Sequence, residues 1–485
     1  MNSLNGSLLL MLVERLRRSS VRVKMLVALG AVLAVFVAGP VSGVFQFVLF
    51  FALLCIFFIF LGAQIETATL AVAILLVPFE IGFGMSIPTV VLEGYSGLKE
   101  FSTWFLVSYA DIVLSFLLLG LMMSKAYRLR YRTLYFDWAL LIFVVWAFIS
   151  TLASPYQPAA TTGWATLVKG MVSYVIIRLL PISRRLHKTI AMCFSAILFF
   201  QGALGLYQLR MGDQTGRFFE ATRAIVDGAI YRPSGTLYDP NNYALFLLMV
   251  LPVVVTQLLN AQSLPVRFFM FLSVLMGFLG IIVSGGRVAW GTLALYGLYL
   301  WKYYPHQIVH FMKSKLYYPN GNKLMILGVI VLVAYLYPKI IAPRISGLPS
   351  VFAENGTLSS RLLLVRESFA LIARHPIVGT GLNGFSAGVA QEPITDVFRG
   401  FTTEVHNIYL LIASELGVVG LLLFLLVLRP IITEFGSLGR ASPERTSYGI
   451  SIGIFLVFGF MIPSFIRGAQ FPLFMLMVGL FVRSK

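Results

Sequence analysis

The stretch HNIYLLIASELGVVGLLLFLLVL, residues 406–428, determines the fold class of the chain. From Ile408 onward its only charged residue is Glu415, and the apolar run is close to the ~20 residues that a helix needs to cross the hydrocarbon core. The apolar residues are continuous and do not alternate with polar ones. This favours a helix over a barrel strand, because lipid admits only helices and closed barrels. We therefore predict a transmembrane helix here.

Similar runs recur along the 485-residue chain, of which 59% is hydrophobic and 12% charged. Soluble domains are about half apolar and about a quarter charged. The sequence therefore predicts an all-α, polytopic helical membrane protein with about 12–14 transmembrane helices in a single transmembrane domain over residues 1–485. The predicted spans are 25–40, 44–63, 66–88, 104–123, 134–154, 166–180, 188–208, 242–260, 268–284, 288–304, 324–341, 406–428, 447–462 and 465–482.

The lysines and arginines between these spans predict the orientation, because cytoplasmic loops of membrane proteins are enriched in both. In an arrangement of about fourteen spans, every strong cluster falls on the side of the N-terminus, so both termini are expected in the cytoplasm. The net charge of +18 then reflects contact with the bilayer, and no nucleic-acid partner is expected. The outer cations are almost all arginines, whose planar guanidinium suits phosphate oxygens.

Two outer connections are long, at about 209–241 and 342–405, and long ordered loops usually carry function. The second contains SSRLLLVRESFALIARHP, residues 359–376, which is predicted to be a helix that stops before Pro376. Arg361 in its first turn, next to free backbone N–H groups, would form an anion site. An amphipathic helix lying on the membrane surface is the other interpretation, and the two are compatible.

Two shorter outer segments place further arginines at the starts of helices. In the octapeptide VSGGRVAW, two glycines allow a tight turn that leaves Arg287 at the N-terminus of the next span. In YRPSGTLYDPNN, residues 231–242, Arg232 directly precedes a proline and is therefore expected to have an extended backbone. Asp239 or Asn241 can cap the helix that follows.

His406 stands where the long outer loop re-enters the membrane, at the boundary between water and lipid. With an unperturbed pKa of about 6.5, a histidine at this place can act as a general base. From its position alone, a structural interfacial histidine is the alternative.

These segments together resemble the O-antigen ligase and O-antigen polymerase superfamily of bacterial envelope glycosyltransferases. The resemblance covers residues 230–425. It consists of the Gly-Gly-Arg turn, the Arg361 helix with its P-x-x-G-x-G-x-N-x-F exit, and an H-N-x-Y-L…E-x-G-x-x-G run. The matching residues are Gly285, Gly286 and Arg287, then Pro376, Gly379, Gly381, Asn383 and Phe385, and finally His406, Asn407, Tyr409, Leu410, Glu415, Gly417 and Gly420.

The resemblance implies a GT-C-like glycosyltransferase of the bacterial inner (plasma) membrane that uses an undecaprenyl-diphosphate-linked glycan donor on the periplasmic side. It implies that His406 activates the acceptor hydroxyl and that transfer inverts the anomeric carbon without a metal or other cofactor. The implied diphosphate-binding residues are Arg232 and Arg361, followed by Arg287 and Arg366.

The acceptor stays open. It is a glycan repeat for a surface polysaccharide polymerase, lipid A core for an O-antigen ligase of lipopolysaccharide biosynthesis, or a protein. The many spans and the modest outer loop favour the polymerase. No D-x-D sequence occurs in the chain, which agrees with the expected absence of a metal.

A competing function is that of a membrane transporter or a flippase for lipid-linked sugars. Such proteins use ionisable groups near the middle of the membrane, and Asp111 and Glu415 are the best candidates here. The two functions predict different sites. Convergence of His406 and the outer arginines would favour the transferase, whereas a polar cluster at the midplane would favour transport.

Overall fold

The computed structural model describes residues 64–79, 82–86, 104–124, 127, 131, 133–211, 232–237, 239–307, 334, 336–347, 349, 357–394, 404–436, 441–462, 466 and 468–484. Its helices are α1 Ile65–Leu76, α2 Tyr109–Met123, α3 Tyr135–Ala153, α4 Gln157–Leu179, α5 Arg184–Met211, α6 Pro240–Asn260, α7 Leu264–Val283, α8 Arg287–Tyr303, α9 Ala342–Ser346, α10 Thr357–Arg374, α11 Phe385–Gln391, α12 Ile408–Glu434, α13 Pro443–Phe458 and α14 Gln470–Arg483. A π-helical turn, Tyr337–Ile341, leads into α9, and two strands, β1 Gly82–Ser86 and β2 Trp104–Ser108, precede α2.

Five of the described helices are long and apolar enough to cross a membrane, with mean hydropathies from 1.8 to 2.6. These are α3, α5, α6, α7 and α12. The predicted class, a polytopic helical membrane protein, is confirmed. The predicted spans 25–40 and 44–63 lie outside the described residues, as does most of 324–341, so the total of about fourteen stays a prediction.

The predicted spans 66–88 and 104–123 are wrong in their extent. The first helix ends at Leu76, and β1 pairs antiparallel with β2, with Gly82 opposite Ser108 and Ser86 opposite Trp104. Pro78 cannot donate the next helical hydrogen bond, and the glycines within β1 disfavour helix. An apolar run therefore does not by itself distinguish a buried strand from a helix.

α6 is the central helix of the bundle, since 14 of its 21 residues are buried, among them the internal Pro252. It packs against α5, α7 and α13, while α4 packs on α14 and α3 on α12. The N-terminal end of α6 carries the segment with Arg232, so a rigid scaffold supports that side of the site. Asp239 caps α6, because its Oδ1 accepts hydrogen bonds from the backbone N–H groups of Asn241 and Asn242 at 2.8 Å each.

α12 is broken at Gly417, whose φ of 72° and ψ of 177° interrupt the helix. The turn that follows α10, residues 376–384, lies in the gap. Thr380 N–H donates to the Ser414 carbonyl at 3.0 Å, Gly381 N–H to the Glu415 carbonyl at 2.8 Å, and Val418 N–H to the Pro376 carbonyl at 2.9 Å. We call this arrangement the interlock.

α3 supplies the remaining partners of the interlock. Trp146 Nε1 donates to the Leu416 carbonyl at 2.9 Å, and Ser150 Oγ to the carbonyls of Val378 and Glu415 at 2.6 and 3.2 Å. Non-helical backbone is tolerated at membrane depth only where protein groups satisfy it. The interlock therefore fixes the end of α10 against the first half of α12, and hence Arg361 relative to His406.

Candidate active site at the outer ends of the helices

A tight turn between α7 and α8 forms the centre of the site. Gly285 adopts a φ of 63° and Gly286 caps α8, so Arg287 becomes the first residue of that helix, as predicted. Gly285 is buried, and a Cβ on it would lie 3.5 Å from Nε of both Arg232 and Arg344. That is an ordinary contact distance, so the positive φ, which other residues rarely adopt, is what favours glycine here.

Arg232 belongs to a short segment that buried glutamines hold in place. Gln208 forms paired hydrogen bonds with the backbone of Gly235, both 2.8 Å long, and Gln201 Nε2 donates to Thr236 Oγ1 at 2.6 Å. Arg232 Nε then donates to the Ser284 carbonyl at 2.8 Å, and its Nη2 to Asn241 Oδ1 at 3.0 Å. Its Nη1 has no partner among the described residues.

Arg287 and Arg344 are linked through backbone carbonyls. Arg287 donates to the Arg344 carbonyl from Nε at 3.2 Å and from Nη2 at 3.0 Å. The same Nη2 also donates to the Gly347 carbonyl at 3.3 Å. In return, Arg344 Nε donates to the Gly285 carbonyl at 2.8 Å. The segment after the π-helical turn is thereby attached to the turn before α8.

Arg361 faces the same cluster from α10. The sequence predicts a helix start at Ser359 or Ser360, but the helix begins at Thr357, so Arg361 lies in its second turn and not in its first. Its Nε is buried without a partner in the described part of the chain. Burial, and the nearby Arg287, lower the pKa of Arg361.

His406 lies next to Arg361, just before α12. Asn407 caps this helix, with Oδ1 accepting from Tyr409 N–H at 3.0 Å and from Leu410 N–H at 3.1 Å. The His406 ring is partly buried, and its Nδ1 has no hydrogen-bond partner among the described residues. Burial first and Arg361 second lower the pKa of His406, while the Glu404 backbone and Asp239 oppose the shift. The net effect favours the neutral imidazole.

The four arginines of this site, Arg232, Arg287, Arg344 and Arg361, form what we call the arginine cluster. Each is partly buried, and within the described residues none forms an ion pair with a carboxylate. Burial first, and neighbouring guanidiniums second, lower the pKa of Arg344 to about 10. Asp239 offsets part of the charge on Arg232, and the excess of positive charge at this end of the helical bundle is suited to binding an anion.

Arg366 is not part of this cluster. It is exposed on α10, on a face where Leu362 is 55% and Phe369 59% exposed. Leu364 and Leu371 form the buried side of the helix instead. This distribution fits an amphipathic helix at a membrane surface.

The two acidic residues considered for transport have structural partners. Asp111 forms an ion pair with Lys169 at 3.1 Å and accepts from the Ser108 backbone at 2.7 Å. Glu415 Oε1 accepts from Phe385 N–H at 3.3 Å, at the start of α11. The polar groups that converge are therefore those at the outer ends of the helices. No group of three or more His, Cys, Asp or Glu placed to hold a metal occurs among the residues described.

Residues 271–425 match the family model described as O-antigen ligase. The matched range contains the turn before α8, α10, His406 and the interlock, while Arg232 precedes it. The match confirms the resemblance predicted from the sequence. No curated protein matches the chain. Taken with the five apolar helices, the match supports a membrane protein in which residues 271–425 are similar to O-antigen ligases.

Proposed function

We propose that the protein is a glycosyltransferase that moves a glycan from undecaprenyl diphosphate to an acceptor hydroxyl on the periplasmic side of the bacterial inner membrane. The observation that carries the proposal is the convergence of His406 and Arg361, whose buried Nδ1 and Nε have no partner among the described residues, with the other arginines of the cluster. A base and an anion-binding group side by side are what this transfer needs. The O-antigen ligase match over 271–425 supports it independently.

In the proposed reaction, His406 accepts the proton of the acceptor hydroxyl as its oxygen attacks the anomeric carbon. The bond from that carbon to the diphosphate oxygen breaks, and undecaprenyl diphosphate leaves with the electron pair. Attack from the face opposite the leaving group inverts the anomeric configuration. Arg232 and Arg361 bind the diphosphate and stabilise its growing charge. No step requires a metal.

The remaining two sequence candidates differ in position. Arg287 lies inside the arginine cluster, whereas Arg366 is exposed on the outer face of α10. We therefore keep Arg287 within the proposed site and place Arg366 last among the four. The acceptor is a glycan repeat or lipid A core, with the polymerase favoured. The partners of Asp111 and Glu415 give the transporter no support.

Deletion of the gene tests the proposed function and distinguishes a polymerase from an O-antigen ligase. Single repeats accumulating on the lipid carrier would indicate a polymerase, and finished polymer on the carrier would indicate an O-antigen ligase. Complementation with the wild type should restore the surface glycan, and complementation with His406→Ala should not. An unchanged surface glycan and unchanged lipid-linked intermediates in the deletion strain would contradict the proposal.

A further inference from the structure

Arg344 is the one member of the arginine cluster that the proposed function does not use. It lies in α9, directly after the π-helical turn Tyr337–Ile341, where the long outer loop begins. Its Nε is held on the Gly285 carbonyl at 2.8 Å. The side chain is therefore fixed at the centre of the cluster and does not extend into solvent.

The N–H groups of Arg287 and Arg344 are used differently. An arginine has five N–H donors in a fixed plane. Arg287 commits both Nε and Nη2 to the carbonyls of Arg344 and Gly347. Arg344 commits only Nε, and among the described residues nothing accepts from either of its Nη groups. A bidentate contact to phosphate uses two such parallel donors.

The charges around Arg344 also favour an anion. Burial first, and the neighbouring cations Arg232 and Arg287 second, lower its pKa to about 10. Burying like charges is unfavourable unless a counter-charge is present. Within the described residues no carboxylate pairs with Arg344. A bound anion would supply that counter-charge.

We propose that Arg344 binds the diphosphate with its two Nη groups and that Arg287 is a positioning residue, which holds Arg344 through its backbone carbonyl. The inference rests on the proposed function and changes the roles within it. Arg287, at the start of α8, stabilises the structure of the site, and Arg344, at the start of the long outer loop, binds the ligand.

Binding of undecaprenyl diphosphate to the purified full-length protein tests the proposal. The variants are Arg344→Gln and Arg344→Lys. Arg374→Gln is the matched control, because Arg374 is exposed at the end of α10 and pairs with Glu392. We expect Arg344→Gln to bind roughly 10- to 100-fold more weakly, as for loss of a charge-assisted contact. Lys should retain part of the affinity, and the control should bind like the wild type.

Wild-type affinity in Arg344→Gln would overturn the role of Arg344 and leave the proposed function intact. Absence of binding by the wild type would instead overturn the proposed donor. If Arg344→Gln folds poorly, the ligand-induced shift of its thermal unfolding temperature still measures binding. Wild type and Arg374→Gln should unfold at higher temperature with the ligand, and Arg344→Gln should lose most of this shift. A full ligand-induced shift in Arg344→Gln would contradict the proposal even if its basal unfolding temperature were lower.

The role of Arg287 is tested by combining substitutions. If Arg287 acts only through Arg344, the double variant Arg287→Gln/Arg344→Gln should bind no more weakly than Arg344→Gln alone. Losses that multiply in the double variant would show that Arg287 contacts the diphosphate itself.

Discussion

At the scale of single residues, the proposed chemistry depends on the charge state of His406. Burial and Arg361 hold the pKa of this imidazole below its ordinary value of 6.5, so the ring can accept a proton at pH 7. His406→Ala should reduce the rate of glycan transfer by roughly 10²–10⁴-fold, the usual effect of losing a general base. Binding of undecaprenyl diphosphate should change little, because the arginines are intact. His375→Ala, at the end of α10, is the control. A transfer rate near that of the wild type in His406→Ala would exclude His406 as the general base.

Arg361 should control the pH dependence of the reaction as well as its rate. Because this cation lowers the pKa of His406, Arg361→Gln should raise that pKa and move the acidic limb of the kcat/KM profile to higher pH. The rate should also fall by about 10²–10³-fold. Arg361→Lys keeps the charge but loses the planar fork, so its limb should stay near that of the wild type. Arg366→Gln should not shift the limb, because Arg366 is exposed outside the cluster. The same limb in Arg361→Gln and the wild type would show that the two side chains are not coupled.

The sequence was informative about which arginines face outward but not about how their N–H groups are used. Arg232, Arg287 and Arg361 were predicted from their places before helices, and the structure brings all three together. Arg344 was one outer cation among many, because no local pattern shows that its Nε would meet Gly285. Arg287 donates its N–H groups to carbonyls that lie 57 and 60 residues away in the sequence. A local sequence pattern cannot predict hydrogen bonds over such separations.

At the scale of elements, the interlock explains why glycines recur in the two longest motifs. Gly379 and Gly381 have φ values of 71° and 87°, and Gly417 has 72°. The sequence identified these positions, yet their role is to let two backbones cross, and they lie outside the arginine cluster. Glu415 likewise caps α11. Periodicity found α10 within two residues but placed the start of α4 at 166, because its first turns, beginning at Gln157, are polar.

Gly417→Ala should therefore destabilise the protein. The new Cβ would collide with the carbonyl oxygen of Ile377, and the left-handed backbone is itself unfavourable for alanine. Together these effects should cost about 2 kcal/mol or more. Thermal unfolding of the purified protein measures the loss. Gly291→Ala in α8 is the matched control, since a Cβ there meets nothing within 4 Å. Equal unfolding temperatures for the two variants would contradict the role of the interlock.

At the scale of the whole molecule, the proposed mechanism lets the positive charge gathered at one end of the helices replace what a metal would supply. The arginine cluster can neutralise a diphosphate directly, and the sequence has no D-x-D carboxylates. Glycan transfer by the purified enzyme should therefore be unaffected by EDTA. Adding Mg²⁺ or Mn²⁺ to the chelated enzyme should bring no gain. Activity that is lost with EDTA and regained with either ion would refute the metal-free mechanism.

The orientation of the molecule can be argued from α8. Arg287 lies at its first residue and Tyr303 at its last, so the two ends are about 25 Å apart along the helix axis. The arginine cluster is at the first end. Beyond the second, the sequence continues with Lys313, Lys315 and Lys323, which favours the cytoplasm. The sequence predicts that residues 288–304 span the membrane, and on that prediction the site and residue 306 should lie on opposite sides.

Cysteine labelling tests this orientation. With Cys55 and Cys193 replaced by alanine, a single cysteine is introduced either at Glu392, in the outer loop, or at His306, beyond α8; both positions are exposed. A maleimide that cannot cross membranes should label Glu392→Cys in intact spheroplasts. It should label His306→Cys only after the membrane is permeabilised, because the positive-inside rule places that loop in the cytoplasm. The reverse pattern would put the arginine cluster and His406 on the cytoplasmic side. In that case the lipid-linked donor would have to be used before it is flipped across the membrane.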